Sequence, residues 1–366
     1  GFQGAVEMCN NNGACRNLAG GVMCPSYRVT RNERDVTRGR ANSLRLAVTG
    51  QLGPDALTSD EMAETLSLCV SCKACRRECP TGVDMARMKI EVLAARAERF
   101  ELSLHDKLVG FLPHYAPYAV RWHRLFNMRN GNGLFRKASE VIAGFSSRRS
   151  LPKWRSDTYR DRSDWRYVSG EDNAGAREVV LFADTFNRYF ERENLDDALR
   201  VLVAAGYRVY APLPPDPNER PLCCGRTFLA VGLVEEARRE MQRTLDALAP
   251  YVRRGIPVVG LEPSCLLTFR DELPAMFKGE AAELLAANAQ LFEEFIAHEH
   301  KQGQLNLPLG PLPKKALLHG HCHQKAFDAM SAVESTLRLI PQLSVETIES
   351  SCCGMAGAFG YGADTI

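Results

Sequence analysis

Four cysteines, Cys69, Cys72, Cys75 and Cys79, the last followed by Pro80, form the most specific chemical pattern in the chain. Three thiolates spaced by two residues can wrap three corners of a cube on one tight loop. The fourth, held before a proline, reaches away from that loop. Such spacing suits cubane iron–sulfur clusters. A disulfide reading would have to staple adjacent turns repeatedly, and structural zinc prefers two separated Cys pairs.

An earlier block, Cys9, Asn12, Cys15 and Cys24-Pro25, has the same shape with two departures. Asn12 takes the second ligand position, and eight residues, Arg16 to Met23, separate Cys15 from Cys24 where three are usual. In two-cluster ferredoxins the last cysteine of each block serves the other cluster. Crossed pairing therefore assigns Cys24, Cys69, Cys72 and Cys75 to one cluster, and Cys9, Cys15 and Cys79 to the other. Seven thiolates serve eight slots. The short cluster is expected as [3Fe–4S], or as [4Fe–4S] whose last iron takes Asn12, water or another group, a distant thiolate included. An amide is a poor ligand for a soft iron site.

The remaining cysteines are Cys223, Cys224, Cys265, Cys322, Cys352 and Cys353. Two Cys-Cys-Gly units stand 129 residues apart, at Cys223-Cys224-Gly225 and Cys352-Cys353-Gly354. A vicinal pair can place two thiolates on one metal or one cluster edge, and the glycine lets the backbone turn close by. The pattern points to one site shared between duplicated halves, holding a third iron–sulfur centre, a zinc ion or a redox dithiol. His319, His321 and His323 flank Cys322. One face of that segment points inward, which favours His321 or His323 as ligand or proton donor. Cys352, Cys353, His321 and His323 are the candidate catalytic groups.

The elements that must position these residues fall into two domains, and the fold class is α+β. Residues 1–143 read as a mostly helical, ferredoxin-like domain, with helices over 35–50, 60–68 and 83–100. Residues 104–128 mix Phe111, Leu112, Tyr115, Tyr118, Trp122, Leu125 and Phe126 with His and Arg around Pro113 and Pro117. Aromatics at helical spacing predict a helical pair packed on its own domain or a partner subunit. An amphipathic membrane-surface element is the alternative. Residues 144–177 read as an Arg-rich linker wrapping over a surface, its alternating charges those of a solvated connector.

Residues 178–366 alternate strands and helices as a duplicated α/β unit, with halves at about 178–300 and 314–366. Strands are expected over 178–183, 207–211, 256–261, 315–318 and 345–348, with helices over 195–205 and up to about 339. Each Cys-Cys-Gly should close a strand and loop and open a helix. Phe182-Ala183-Asp184-Thr185 corresponds to Leu318-His319-Gly320-His321-Cys322, so Thr185 stands where the second half carries a thiol. The counterpart of Glu262-Pro263-Ser264-Cys265 would lie beyond Ile366, so the second half reads as truncated. The chain also opens at Gly1 only eight residues before its first ligand, as expected of a piece of a longer polypeptide.

Composition is that of an ordinary globular protein: 366 residues, 45% hydrophobic and 25% charged, enough for two domains. Thirteen clustered cysteines argue for metal ligation in a reducing, cytoplasmic compartment rather than a disulfide scaffold. A formal net charge of +2 argues against nucleic acid. No apolar run is long enough for a transmembrane helix, and no signal peptide is visible. A place at the cytoplasmic face of the inner membrane, with peripheral contact, stays open. No Gly-rich phosphate loop predicts a bound nucleotide in this stretch.

The runs Cys9 to Cys15, Cys24-Pro25-Ser26-Tyr27, Arg38-Gly39-Arg40-Ala41 and Cys69 to Pro80 resemble the iron–sulfur half of fused FAD-linked dehydrogenases. These are the bacterial D-2-hydroxyglutarate and D-lactate dehydrogenase type proteins. The layout is also similar to iron–sulfur subunits of glycolate oxidase and anaerobic glycerol-3-phosphate dehydrogenase. The Cys-Cys-Gly units resemble the cysteine-rich domains of heterodisulfide reductase. Asn12 fits the fused type, whereas Thr185 departs from the full cysteine-rich pattern.

The resemblance implies an FAD module, expected before Gly1, that takes a hydride from a D-2-hydroxy acid. Electrons would then pass singly through two clusters and the Cys-Cys-Gly site to a quinone or carrier protein. Two other functions are consistent with the residues. One is a heterodisulfide-reductase-like thiol/disulfide enzyme working at Cys352 and Cys353 without flavin. The other is a non-catalytic, zinc-loaded metal-binding module.

Overall fold

The computed structural model describes residues 1–161, 175–216 and 218–366. The part of the expected linker at 162–174 lies outside the described residues.

Short helices build the N-terminal region, and their caps follow from the sequence. Ser59 accepts from the Met62 N–H to start Asp60–Ser67, and Asp84 accepts from the Arg87 N–H to start Met85–Arg99. With Thr37–Val48, these helices bury Ala41, Leu44, Met62, Leu66, Met85, Met88 and Val92 in one core. Cys9, Cys15, Cys24 and Cys75 belong to that same core, so the helices serve to hold the cysteine loops. All thirteen cysteines are free thiols.

Four parallel strands follow, β1 (Glu178–Phe182), β2 (Arg208–Tyr210), β3 (Val258–Gly260) and β4 (Ala289–Leu291), in the order β2-β1-β3-β4. Alternate residues serve opposite faces. Val180, Phe182 and Val258 pack with Phe228, Met241 and Phe269, while Val179, Leu181 and Val259 pack with Leu195, Leu202 and Phe295. The sequence pattern misses β4. It is three residues long, between helices Glu280–Asn288 and Phe292–Lys301, in a run rich in helix formers.

A second parallel pair, β5 (Lys315–Leu318) and β6 (Ser344–Thr347), stands apart from the first sheet. Its order of parts matches the first half: β1 and β5 each lead into a five-residue helix, Thr185–Tyr189 and Cys322–Ala326. A longer helix follows, Arg192–Ala204 or Met330–Arg338, then β2 or β6 and a Cys-Cys-Gly.

Two expectations are corrected here. Cys223-Cys224-Gly225 does open a helix, Arg226–Ala230, but Cys352-Cys353-Gly354 runs into turns, with one 3-10 turn at Phe359–Tyr361. The aromatic run is only partly packed. Phe111 lies edge-on to Phe228, 5.3 Å between ring centres, yet Tyr118, Trp122, Leu125 and Phe126 are exposed. Burial follows the first turn of Leu112–Ala119, where Pro113 and Ala116 face inward. The chain then leaves the core along His123–Gly131 and Gly133–Ala143. Within the expected linker, Phe145 pairs with Gly362, and Trp154 packs on Phe190.

Candidate iron–sulfur site

The loop 69–75 turns tightly because Ser71 and Lys73 adopt left-handed backbone, φ 50° and 60°, as does Cys24 at φ 50°. That curl turns four thiols onto one small pocket, lined by Cys24, Cys69, Cys72 and Cys75 together with Thr37, Arg40 and Lys73. These four cysteines are the set that crossed pairing assigns to one cluster. The donors suit the group. Burial pushes Cys24 up to about 11 and Cys72 up to about 12, and raises Cys75 well above an ordinary thiol. Burial alone favours the protonated thiols, and iron held by these four residues would supply the positive charge that favours their thiolates. Support for sulfur is already placed. The Thr37 N–H donates to Cys24 Sγ at 3.1 Å, and the Thr37 hydroxyl lies 2.9 Å from it.

Cys9 and Cys15 are buried neighbours, and burial, with the Cys9 charge adding to it, raises the Cys15 thiol against an N–H from Arg38. Cys79 differs. Burial pulls its thiol upward, but the Thr81 hydroxyl and the N–H groups of Val83, Thr81 and Gly82 bring it below the ordinary value. Asn12 is exposed. Its amide oxygen accepts the Ala14 N–H at 2.9 Å and its amide nitrogen donates to Asn10 Oδ1 at 2.6 Å. The amide thus closes a local turn and does not point to a ligand role.

The six Cys-Cys-Gly thiols form two groups. Cys223, Cys224 and Cys265 are fully buried and hydrogen-bond one another in series, with the Thr185 hydroxyl on Cys223. Cys322 hydrogen-bonds Cys352, which also takes a bond from Cys353, and both Cys322 and Cys352 lie within electrostatic reach of Cys72. The hydrogen bonds join thiols within each trio, unlike the single shared site expected from the sequence. Among the described residues, no three or more His, Cys, Asp or Glu side chains converge on a single metal ion, whereas the thiols of a cubane each meet a separate iron corner.

The two trios repeat one design. Gly225 N–H points at Cys223 Sγ at 3.4 Å, and Gly354 N–H at Cys352 Sγ at 3.3 Å, both glycines in left-handed backbone at φ 79° and 82°. Thr185 meets Cys223 as Cys322 meets Cys352. The Cys322 thiol is raised, first by its bond to Cys352, while that same bond and the Gly354 N–H bring Cys352 down to about 6. The bond thus favours the charge on Cys352 over Cys322.

Of the histidines, His323 is buried and its Nε2 lies 3.2 Å from the Ser71 carbonyl on the cysteine loop. Burial, then Arg226 and Lys73, holds it far below the ordinary imidazole value, so the neutral ring donates to that carbonyl. His321 caps Cys322–Ala326 by accepting the His323 N–H, and its other ring nitrogen sits 3.9 Å from Glu262 Oε1. His319 is exposed.

Sequence reasoning passed over Lys73, Asp271 and Glu272. Lys73 sits between two cysteines of the loop, is 2% exposed, and its ammonium pairs with Asp271 at 2.6 Å and with Glu272. Arg76 and Arg87 also reach Asp271, and Arg226 reaches Glu272. The only local signal was a lysine inside a ligand loop.

Residues 5–83 match the family model described as a 4Fe-4S dicluster domain. Over those residues the chain is similar to iron–sulfur domains of that kind. It is 26% identical to D-2-hydroxyglutarate dehydrogenase of Escherichia coli strain K12, an alignment covering 99% of this chain and 38% of that protein. It is 27% identical to one of the subunits of anaerobic glycerol-3-phosphate dehydrogenase of the same organism, over 76% of this chain and 66% of that one. Lactate utilization protein A of Bacillus licheniformis is 27% identical over 38% of the chain. The chain thus spans 38% of the length of the D-2-hydroxyglutarate dehydrogenases it matches. No solved structure matches it.

Proposed function

We propose that the chain is the electron-transfer part of an FAD-linked D-2-hydroxy acid dehydrogenase, passing electrons from flavin to a quinone or carrier protein. The observation that carries this reading is the packing of the cysteine loop against the segment that bears Cys322. Helix Cys322–Ala326 lies on Ala74–Glu78, His323 Nε2 is 3.2 Å from the Ser71 carbonyl, and Cys72 is within electrostatic reach of Cys322 and Cys352. Cys24, Cys69, Cys72 and Cys75 would hold one cluster, and Cys9, Cys15 and Cys79 would hold the other with a non-thiol group. Iron–sulfur clusters bound there supply one-electron steps. Around them, Thr37 and the N–H groups near Cys79 hold the sulfurs, Lys73 ties the loop to Asp271 and Glu272, and His323 ties it to the segment that bears Cys322. Cys322, Cys352 and Cys353 then form the exit side, with Cys352 as the thiolate.

Anaerobic purification with iron and sulfide quantitation, joined to EPR of oxidised and dithionite-reduced protein, tests the reading. A [3Fe–4S] signal when oxidised with a [4Fe–4S] signal when reduced fits seven thiolate ligands. Two ordinary [4Fe–4S] signals keep the relay and place a fourth ligand on the short cluster. Zinc without iron, from a preparation that preserves clusters, would sink it.

The thiolate character of Cys352 favours one further reading, thiol/disulfide chemistry at the second trio. Turnover of a disulfide substrate without any flavin partner would distinguish it.

A further inference from the structure

The helix Gly133–Ala143 is turned inside out. Its polar residues make its bonds to the protein: Ser139 Oγ accepts from Arg129, Glu140 accepts the Ser147 N–H, and Arg136 donates to the Asn130 carbonyl. Its apolar residues Leu134, Ala138, Val141 and Ile142 follow the i, i+4, i+7, i+8 spacing of a single stripe. That stripe faces solvent, with Leu134 79%, Val141 86% and Ile142 68% exposed. A surface helix ordinarily buries this stripe.

The neighbouring helices extend the surface. Tyr118, Trp122 (64% exposed), Leu125, Phe126 and Met128 are also exposed along Leu112–Ala119 and His123–Gly131. Among the described residues Phe126 meets Trp154, 6.3 Å between ring centres, and the patch otherwise stays open. An apolar surface of this extent marks an interaction site.

Charge decides between occupants. Residues 118–142 contain one acidic residue, Glu140, which accepts the Ser147 N–H, while Arg121, Arg124 and Lys137 are exposed there and make no ion pair among the described residues. Basic residues beside exposed Trp, Phe and Leu on short amphipathic helices are the make-up of an element that lies in a bilayer interface. Aromatic rings sit at headgroup level, aliphatic side chains enter the acyl boundary, and arginines meet anionic headgroups. We propose that residues 118–142 dock the protein on an anionic phospholipid surface. It lies on the membrane without crossing it, and no helix among the described residues is long and apolar enough to cross. The contact is independent of the cluster chemistry, so cluster-loaded and cluster-free protein bind alike.

Vesicle flotation tests this with the intact protein, using phosphatidylcholine vesicles with and without phosphatidylglycerol. Binding is expected only with phosphatidylglycerol and should weaken with salt. Arg121→Gln/Arg124→Gln/Lys137→Gln should weaken it roughly a hundredfold, at about a factor of five for each basic residue near an anionic surface. Leu134→Glu/Ile142→Glu, both on the solvent face, should abolish it. In the unmodified protein, fluorescence should shift to the blue on vesicle addition, and Trp122→Phe should remove that shift. No flotation with either vesicle overturns the proposal, as does binding that survives Leu134→Glu/Ile142→Glu. A stable dimer that those two substitutions dissociate, without vesicle binding, assigns the face to a second copy instead.

Discussion

Lys73 and Asp271, 198 residues apart in sequence, form a buried ion pair at 2.6 Å that ties the cysteine loop to the α/β part of the molecule. Lys73 holds the Asp271 carboxyl below its usual range against the upward pull of burial, with Arg87 and Arg76 assisting. Burying the charges is itself costly, so the network is better read as setting register than as adding stability. Removing one partner is the damaging change.

Lys73→Met leaves Asp271 and Glu272 short of a cation in a site with 2–3% exposure. Breaking a buried pair from one side costs about 3–5 kcal/mol, and Lys73→Met should fall near the lower end because Arg76, Arg87 and Arg226 remain. Urea unfolding measures this. Lys73→Met/Glu272→Gln should recover part of the loss by removing the stranded charge. A double variant no more stable than the single one would show that the pair is not what holds the loop.

Cys24 and Asn12 should behave oppositely. Cys24 lies on the pocket of Cys69, Cys72 and Cys75 although 45 residues separate it from Cys69. Cys24→Ala should lower iron per chain and remove the reduced [4Fe–4S] signal. Asn12→Ala should leave iron content unchanged and cost about 0.5–1.5 kcal/mol, the value of a turn hydrogen bond. Loss of iron from Asn12→Ala would restore the asparagine as a ligand.

The local parts of this site were legible in the sequence. Cysteine spacing named the four thiols that share a pocket, because ligand spacing on a tight loop is a local constraint. The repeat of Cys-Cys-Gly also placed Thr185 opposite Cys322, and in the structure Thr185 bonds Cys223 while Cys322 bonds Cys352. What could not be read is tertiary. No periodicity joins Lys73 to Asp271, or Cys72 to Cys352. An apolar stripe at helical spacing says that a face is apolar, not which way it turns, and so Gly133–Ala143 was not foreseen as facing solvent. Asn12 had the right position for a ligand, but its amide was already engaged by Ala14 and Asn10.

Thr185→Cys tests the duplication directly. It places a thiol on Cys223 where the second half has Cys322 on Cys352, giving the first trio a fourth sulfur. After anaerobic reconstitution the variant should hold more iron per chain than the unmodified protein. Equal iron in the two would mean that a missing thiol is not what distinguishes the halves.

Asp184, beside the first trio, supplies a pH test outside the pocket of Cys24, Cys69, Cys72 and Cys75. Its carboxylate caps Thr185–Tyr189, accepting from the N–H groups of Phe186 and Asn187 at 2.9 and 3.0 Å and from the Asn187 amide at 2.6 Å. Burial, then the neighbouring Glu262 carboxylate, pushes it from 3.8 up to about 6 despite those bonds. A group whose folded value is raised stabilises the fold fully below its unfolded value, and that contribution is lost as pH rises through the folded value. The loss therefore falls between about pH 4 and 6, and by pH 8 the ionised carboxylate weighs fully against folding. Asp184→Asn keeps one oxygen for the two backbone donors, gives up the Asn187 amide bond, and carries no charge at any of these values. Relative to the unmodified protein, the variant should therefore gain stability as pH rises from 4 to 8, by about 2–3 kcal/mol for a shift near two units. Unfolding by urea at both ends of that range checks it. A stability difference that stays constant with pH would mean that Asp184 is already ionised in the folded protein throughout, with its helix N–H donors outweighing burial.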